Sequence, residues 1–132
     1  MAEPRLVKLL LAEDHLLTRY TIRGILRKYS DVEIVGEAID GREAVLKAAQ
    51  LRPSVVIMDV NMPRLDGTEA TRQIRAILPR IVVIGLSVHF DCHFTHAMLK
   101  AGAVEVLQKE QAVDKLYPAI QRALAAGIEP AR

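Results

Sequence analysis

Short apolar runs alternate five times with segments of helical period along this 132-residue chain, and this alternation limits its fold more than any other feature. The runs are rich in Val and Ile and apolar on both faces, as in the buried strands of a parallel sheet. The predicted strands are Val7–Ala12, Glu33–Ala38, Val55–Asp59, Ile81–Ser87 and Val104–Gln108. The predicted helices are His15–Tyr29, Gly41–Leu51, Asp66–Ile77, Asp91–Ala101 and Ala112–Ala126. Strands that alternate with helices over short connections indicate a doubly wound α/β fold.

Several residues are expected to mark helix ends. Asp66 is placed to cap the first turn of the third helix, and Pro53 stops the second helix before the next strand. Gly102 follows the fourth helix, at a position where glycine commonly ends a helix. Pro118 lies inside the last helix and removes one backbone hydrogen bond, so we expect distortion in the first turns or a start nearer Tyr117.

The size and charge of the chain limit its class. The chain is long enough for one domain, predicted over residues 1–127, with a short tail at residues 128–132. A net charge of +2 gives no strong electrostatic attraction to nucleic acid. The residues after Gly127 are too few for a helix-turn-helix. Direct binding of nucleic acid is therefore not expected.

The expected location is the cytoplasm. Cys92 is the single cysteine, so an intramolecular disulfide is impossible and a reducing compartment is expected. Residues 1–5 lack the apolar core of a signal peptide, and no apolar run approaches the length of a membrane span. Membrane insertion is therefore not expected.

Polar groups stand at the carboxyl ends of four predicted strands. Glu13 and Asp14 follow the first strand, Asp59 ends the third, Ser87 ends the fourth and Lys109 follows the fifth. The carboxyl ends of parallel strands share one edge of a sheet, where open α/β folds bind their ligands. We therefore expect these five side chains to form one site.

Three carboxylates in one site repel each other and lose hydration, and a divalent cation relieves both problems. Mg²⁺ prefers carboxylate, carbonyl, water and phosphate oxygens. A magnesium site that faces Lys109 and Ser87 suits phosphoryl transfer, because the cation and the lysine neutralise phosphoryl oxygens while a carboxylate attacks. Asp59, at the end of the third strand, is the candidate nucleophile.

These residues, in this order, resemble the receiver domain of bacterial two-component response regulators. The resemblance covers about residues 5–126 and rests on Glu13-Asp14, the segment Asp59–Gly67, Ser87, and the segment Ala101–Ala103 that leads to Lys109. It implies a flavodoxin-like, five-stranded parallel sheet in the order 2-1-3-4-5. Helices one and five would cover one face of this sheet, and helices two, three and four the other.

The resemblance also implies a role for each site residue. Asp59 would accept a phosphoryl group from a phosphohistidine on a histidine kinase or a histidine phosphotransfer domain, and Ser87 and Lys109 would bind that group. Mg²⁺ would be held by Asp14 and Asp59 directly, by Glu13 directly or through water, and by the backbone carbonyl of Asn61. Asn61 and His89 would shape the access of water to the acyl phosphate.

A domain of this kind catalyses its own phosphorylation from small donors and its own dephosphorylation, but does not turn over an external metabolite. Phosphorylation would shift a surface around helix four, strand five and helix five between two states, and so switch partner binding. The partner bound in this way could be a second copy of the domain, which would give a homodimer. Two positions depart from the family pattern: Val106 replaces a usual aromatic residue, and Glu110 replaces a proline that many relatives have in a cis peptide.

Single features of the chain also occur in proteins without this chemistry. Acids such as Glu13 and Asp14 are common at a helix N-terminus, where the helix dipole favours them. A transition-metal site is conceivable at His89, Cys92, His93 and His96, but this group lacks full tetrahedral ligand spacing. Arginines recur at four-residue steps along the first helix, at Arg19, Arg23 and Arg27. They form either a solvated face or a basic stripe that docks the phosphodonor protein.

Two other functions stay open for the whole chain. A non-phosphorylated interaction module could use the same scaffold, and Val106 would favour it if switching were lost more widely. A hydrolase of the haloacid-dehalogenase sort also uses an aspartate nucleophile. That chemistry needs its nucleophile and acid two residues apart after the first strand, whereas Glu13 and Asp14 are adjacent.

Overall fold

Strands and helices alternate through residues 6–88 and 92–127, the parts of the chain that the computed structural model describes. The strands are β1 (Val7–Ala12), β2 (Val32–Ala38), β3 (Val55–Asp59), β4 (Val82–Ser87) and β5 (Glu105–Gln108). The helices are α1 (Leu16–Leu26), α2 (Gly41–Leu51), α3 (Gly67–Ile77), α4 (Cys92–Ala101) and α5 (Ala112–Gly127). Every predicted strand and helix is therefore present. The predicted start of the fourth helix at Asp91 lies outside the described residues.

The strands form one parallel sheet in the order β2-β1-β3-β4-β5, which confirms the predicted topology. β1 pairs with β3 in a register that places Leu11 beside Ile57, and β3 pairs with β4 so that Ile57 lies beside Ile84. β4 pairs with β5 as far as Ser87 and Gln108. The carboxyl ends of all five strands therefore lie along one edge, with β3 in the middle.

Successive residues of the central strands point to opposite faces of the sheet, and each face has its own core. One core joins the sheet to α1 and α5, and includes Leu9, Leu11, Val55, Ile57, Ile22, Leu26, Leu116 and Ile120. The other core joins the sheet to α2, α3 and α4, and includes Leu10, Ala12, Val56, Met58, Ala48, Ile74 and Met98. The helices are thus divided between the two faces as predicted.

Aspartate side chains cap the starts of two helices, and a glycine follows the end of a third; of these, the Asp66 cap and Gly102 were predicted. The Asp66 carboxylate accepts a hydrogen bond of 2.9 Å from the Glu69 amide and so caps α3. Asp40 caps α2 in the same way, through a bond of 2.8 Å from the Glu43 amide. Gly102 follows α4 with a φ of +122°, a conformation that favours glycine. These local signals set the points where the strand-to-helix connections begin and end.

The predicted end of the first helix at Tyr29 is wrong, since α1 ends at Leu26. The amide of Tyr29 donates to the carbonyl of Leu26, three residues back, so the chain leaves the α-helical pattern there. The Tyr29 ring stacks on Tyr117 of α5, with the ring centroids 3.6 Å apart. The stacking of Tyr29 on α5 therefore accompanies the end of α1 at Leu26, although the helical pattern of the sequence continues to Tyr29.

The last helix starts at Ala112, as predicted, and runs through Pro118, so the alternative start near Tyr117 is wrong. A short 3₁₀ turn over Lys109–Gln111 precedes α5, and the side chains of Gln108 and Gln111 cap it reciprocally. The Lys109–Glu110 peptide bond is trans. Leu116, Ala119 and Ile120 are buried against the sheet on either side of the proline in sequence. This burial stabilises a helix that lacks one hydrogen bond.

Within residues 6–88 and 92–127, no helix is both long enough and apolar enough to cross a membrane. The longest of these helices, α5, has 16 residues. Its exposed side carries charged groups that include Asp114, Lys115 and Arg122.

Candidate functional site

The loop after β1 carries the acid pair Glu13-Asp14. The Glu13 side chain is fully buried, and its backbone amide donates to the carbonyl of Ala38 at 2.9 Å, which extends the β1–β2 pairing past the strand. Asp14 is exposed. The amide of His15 donates to Glu13 Oε2 at 3.1 Å. One carboxylate is thus held inside the sheet edge, and the next one is accessible to solvent.

Asp59 ends β3 and is only 2% exposed. The amide of Asn61 donates to Asp59 Oδ1 at 3.2 Å, so the turn after the strand curls back over the carboxylate. Gly67 lies close to the same main chain, because a Cβ there would stand 2.1 Å from the Asp59 carbonyl oxygen. The Gly67 amide also donates to the carbonyl of Val60 at 2.8 Å. The loop from Asp59 to α3 is therefore held tightly.

Lys109 reaches both buried carboxylates from the end of β5. Its Nζ lies 3.0 Å from each carboxylate oxygen of Glu13 and 3.4 Å from Asp59 Oδ2. Its hydrogen bond goes to Glu13 Oε2, whereas the buried Oε1 accepts no hydrogen bond from any described residue. One ammonium group thus offsets two carboxylates, and its contact with Glu13 Oε1 is an ion pair without the geometry of a hydrogen bond.

Burial raises the pKa of Asp59 from 3.8 to about 8, and the charge of Glu13 and a hydrogen bond with Asp14 act in the same direction. Lys109 and the amide of Asn61 lower this pKa, but they have smaller effects. The ionised form of Asp59 is therefore disfavoured unless another positive charge approaches.

The three acids fit a hard divalent cation. Glu13, Asp14 and Asp59 each offer a carboxylate oxygen, and these oxygens lie within 4.8 Å of one another. Hard cations bind through such oxygen ligands. A cation here would give Glu13 Oε1 a second positive partner besides Lys109 and would favour the ionised form of Asp59. The structure therefore contains an acidic cluster that can hold a metal ion.

An open pocket of about 600 Å³ lies over this cluster. It is lined by Asp14, His15, Thr18, Asp59, Asn61, Val88, Lys109 and Glu110. On its wall, His15 Nδ1 lies 3.1 Å from Thr18 Oγ1. Because Asp59 lines the pocket, a bound molecule can reach its carboxylate despite the low exposure of the side chain.

Comparison with known proteins assigns the chain to a family. The profile described as "Response regulator receiver domain" matches residues 9–121, most of the chain. The chain belongs to this family. The receiver domain is 46% identical over 104 residues to protein-glutamate methylesterase/protein-glutamine glutaminase 4 of Myxococcus xanthus, a match that covers 78% of the chain. It is 34% identical over 116 residues to response regulator protein VraR of Staphylococcus aureus, covering 88% of the chain.

Both relatives are longer than the receiver domain. The match covers 30% of the methylesterase and 56% of VraR, so the chain spans under a third of the first protein and just over half of the second. The family membership confirms the resemblance that the residues indicate. It does not support the alternative of a haloacid-dehalogenase-like hydrolase.

Solved structures share the fold of the receiver domain. The response regulator domain of Thermotoga maritima CheB matches with a TM-score of 0.86 at 31% identity, over 96% of this chain and 100% of that one. A two-component response regulator of the LuxR family from Aurantimonas sp. SI85-9A1 matches with a TM-score of 0.87 at 28% identity, over 92% and 86% of the two chains. The flavodoxin-like receiver fold is therefore confirmed.

Two further predicted residues, Ser87 and Asn61, lie at the same edge of the receiver domain. Ser87 ends β4, is 5% exposed, and its backbone pairs with Gln108, the residue before Lys109. Asn61 lines the pocket and is exposed. His89, predicted to shape water access, lies outside the described residues. The structure thus brings Glu13, Asp14, Asp59, Asn61, Ser87 and Lys109 to one edge of the sheet.

The candidate transition-metal group is not assembled in the part of the receiver domain that the structure describes. Cys92, His93 and His96 are described, whereas His89 is not. Among described residues, the one group of three or more His, Cys, Asp or Glu side chains close enough to hold an ion is the acidic cluster.

Sequence reasoning missed a contact between α1 and the end of β2. Arg19 and Arg23 both form ion pairs with Glu37, at 3.0 and 2.7 Å. Arg27 is exposed. Arg19 and Arg23 are therefore not simply solvated, because they share the carboxylate of Glu37, which offsets one of their two charges. The docking of a phosphodonor protein on this helix stays a prediction. Glu37 was a usable signal, since it precedes the end of β2 by one residue.

Val106, where the family usually has an aromatic residue, is half-buried and packs against the core of α2, α3 and α4. Gly85 of β4 leaves the space for this packing. A Cβ on Gly85 would stand 2.8 Å from Met98 Cε and 3.2 Å from Val106 Cγ2. The position therefore holds an aliphatic side chain with no polar tip, packed beside Gly85.

Proposed function

We propose that this receiver domain accepts a phosphoryl group on Asp59 from the phosphohistidine of a histidine kinase or histidine phosphotransfer domain, in a reaction that needs Mg²⁺. The position of the Asp59 carboxylate carries the proposal. It ends the central strand, lies 3.4 Å from Lys109 Nζ, belongs to a cluster of three carboxylates and lines an open pocket. Membership in the receiver family supports the same role.

The acidic cluster offers the oxygen ligands that Mg²⁺ prefers. Asp14 and Asp59 would bind the ion directly, Glu13 directly or through water, and Asn61 through its backbone carbonyl. When bound, the ion would neutralise charge on the phosphoryl oxygens. The exposed position of Asp14 leaves part of this cluster open to the pocket.

Phosphoryl transfer requires the ionised form of Asp59, because a carboxylate oxygen is the nucleophile. This oxygen forms a bond to phosphorus while the bond between phosphorus and the donor imidazole nitrogen breaks, and the imidazole leaves with the electron pair. The pKa of about 8 shows how strongly the site resists this ionisation without a cation. The ammonium group of Lys109 lowers the pKa of Asp59 and so favours the ionised form.

After the transfer, Lys109 and Ser87 would bind the phosphoryl oxygens. Both side chains come from strands on the same side of β3, since the order continues from β3 to β4 and β5. Ser87 follows Leu86, which pairs with Asp59 in the β3–β4 register. A hydroxyl and an ammonium group thus stand close to the end of the strand that carries the acceptor.

We infer that the phosphorylated domain acts as a switch in a two-component pathway of the cytoplasm. The acyl phosphate on Asp59 would bias a surface around α4, β5 and α5 toward partner binding, with or without a homodimer. The domain would also catalyse the loss of its own phosphoryl group, and Asn61 lines the pocket through which water would reach the acyl phosphate. Since the relatives are longer, an effector region elsewhere in the native protein is the proposed target.

Phosphorylation by a small donor tests this function. We expect acetyl phosphate and Mg²⁺ to phosphorylate the wild type, as measured by intact-protein mass spectrometry, and EDTA to prevent it. Asp59→Asn should show no incorporation, because the nucleophile is lost. Asp114→Asn, which removes an exposed acid from the first turn of α5, should be labelled as the wild type is.

The chemical type of the bond that holds the phosphoryl group gives a second test of Asp59 as the acceptor. An acyl phosphate on Asp59 should be cleaved by hydroxylamine, whereas a phosphoserine would survive. Undiminished labelling of Asp59→Asn would refute the assignment of the acceptor. A wild type that takes up no phosphoryl group from either a small donor or a phosphohistidine protein would instead favour the non-phosphorylated interaction module.

A further inference from the structure

The carboxylate of Glu37, near the end of β2, binds two arginines of α1. Its Oε1 accepts hydrogen bonds from Arg19 Nε at 3.0 Å and Arg23 Nη2 at 2.7 Å, and its Oε2 accepts one from Arg23 Nε at 2.8 Å. Hydrogen bonds from Arg23, aided by the charges of both arginines, hold the pKa of Glu37 below its usual value. Glu37 is therefore a fixed anion that ties α1 to β2.

A second nitrogen of Arg19 binds the loop that carries Glu13 and Asp14, called here the acid loop. Its Nη1 donates to the main-chain carbonyl of Glu13 at 3.0 Å. That carbonyl belongs to the peptide that joins Glu13 to Asp14, so its orientation sets the direction of one carboxylate relative to the other. The Glu13 amide is held as well, by the carbonyl of Ala38 at the end of β2. The acid loop is thus held through the backbone of Glu13: Arg19 of α1 binds its carbonyl, and Ala38 of β2 binds its amide.

We propose that Arg19, anchored by Glu37, is a positioning residue for the cation site of this receiver domain. It fixes the peptide between Glu13 and Asp14, so that their carboxylates converge with Asp59 on one ion. The inference rests on the proposed function, because it takes the acidic cluster as the cation site. An arginine suits this role, since its guanidinium presents several N–H donors in a rigid arrangement that can serve two acceptors.

Arg23 provides a matched control on the same helix. It gives Glu37 two hydrogen bonds, whereas Arg19 gives one, and its described hydrogen bonds go to Glu37 rather than to the acid loop. Loss of Arg23 therefore removes a positive charge and an ion pair with Glu37. It leaves the bond from Arg19 to the Glu13 carbonyl in place.

Charge and positioning predict opposite effects for Arg19. A guanidinium near the acidic cluster repels a second cation, so its removal would strengthen Mg²⁺ binding on Coulombic grounds alone. If Arg19 positions the acid loop, its removal weakens binding instead. Partners that orient metal ligands typically change the affinity by about 10-fold or more when they are removed. The sign of the change therefore separates the two roles.

Titration of Mg²⁺ alone into the full chain, followed by calorimetry, tests the inference. We expect the Kd to rise about 10-fold in Arg19→Met and to stay within about twofold of wild type in Arg23→Met. Urea unfolding of each variant checks that both remain folded under the conditions of the titration. Unchanged or tighter binding by Arg19→Met, or an equal weakening in Arg23→Met, would overturn the positioning role.

A metal-free measurement separates this inference from the proposed function. The His15 amide donates to Glu13 Oε2 at 3.1 Å and reports the order of the acid loop. We expect its hydrogen exchange, followed by NMR without divalent cations, to speed up in Arg19→Met and to stay unchanged in Arg23→Met. Exchange unchanged in Arg19→Met would refute the inference. A wild type that fails to bind Mg²⁺ would instead refute the proposed function, and the exchange rates would still decide the role of Arg19.

Discussion

At the scale of single residues, Asp59 occupies a position that is unfavourable for its charge. It lies beside Glu13, and these two buried carboxylates share the single ammonium group of Lys109. A buried charge without full compensation lowers the stability of a fold. The raised pKa of Asp59 expresses this cost. We infer that the site is arranged for binding a cation and not for the stability of the cation-free protein.

The raised pKa of Asp59 makes the free energy of unfolding depend on pH in a definite direction. In the folded chain the pKa of Asp59 is about 8, whereas an unfolded aspartate titrates near 3.9. Between these values the folded state binds a proton that the unfolded state lacks, so the free energy of unfolding falls as the pH rises. We therefore expect Asp59→Asn to be more stable than the wild type at about pH 8, by about 1.4 kcal/mol or more, the value of one pKa unit.

Urea unfolding in EDTA, at about pH 5 and about pH 8, measures this difference. The advantage of Asp59→Asn should grow between the two pH values. Asp114→Asn, at an exposed position of α5, should show no such growth. The interpretation would be wrong if Asp59→Asn were less stable than the wild type at the higher pH.

At the scale of elements, the loop from β3 to α3 depends on glycine at Gly67. A Cβ there would stand 2.1 Å from the Asp59 carbonyl oxygen and 2.9 Å from the Val60 Cα. Backbone atoms cannot move aside as flexible side chains do. Gly24 in α1 is the opposite case, since a Cβ there would meet no atom within 4 Å.

Alanine at the two positions should therefore change stability in opposite directions. We expect Gly67→Ala to lower the free energy of unfolding by about 1–3 kcal/mol through overpacking. Gly24→Ala should raise it by about 0.5–1 kcal/mol, because alanine favours a helix interior more than glycine does. Chemical denaturation measures both, and a stable Gly67→Ala would show that the loop tolerates a displacement of Asp59.

The elements themselves were largely predictable, because apolar runs and helical periods are local signals. The end of α1 and the effect of Pro118 on α5 were not, for reasons that lie in tertiary contacts. α1 stops at Leu26 where Tyr29 turns to stack on Tyr117, and α5 continues through Pro118 because its neighbours pack on the sheet. A prediction from sequence sees the proline and the period, but not the partner that outweighs them.

At the scale of the whole molecule, the parallel sheet explains why residues 13, 59 and 109 meet. This convergence was predictable, since the carboxyl ends of parallel strands share an edge. The individual contacts that Lys109 and Arg19 make at this edge were not predictable. Lys109 lies closer to Glu13 than to Asp59, and Arg19 reaches the Glu13 carbonyl from a helix anchored at β2. These details depend on how deeply each strand end is buried, which the pattern of residue types does not encode.

Cation binding at the proposed site would be linked to the stability of the entire fold. A ligand that binds the folded state raises the free energy of unfolding in proportion to the logarithm of its concentration over its Kd. Mg²⁺ binds ionised carboxylates, so below the raised pKa of Asp59 it must displace a proton. Mg²⁺ should therefore stabilise the protein more at about pH 8 than at about pH 6, by up to about 1.4 kcal/mol per pH unit.

Thermal unfolding with and without Mg²⁺ at the two pH values measures this linkage. The increase in Tm should be larger at the higher pH in the wild type and in Asp114→Asn, which keeps the acidic cluster. In Asp59→Asn the increase should be smaller and nearly independent of pH, because the group that exchanges the proton is gone. A larger increase at the lower pH would mean that the ion binds away from Asp59, since ionisation of this carboxylate could not then limit its binding.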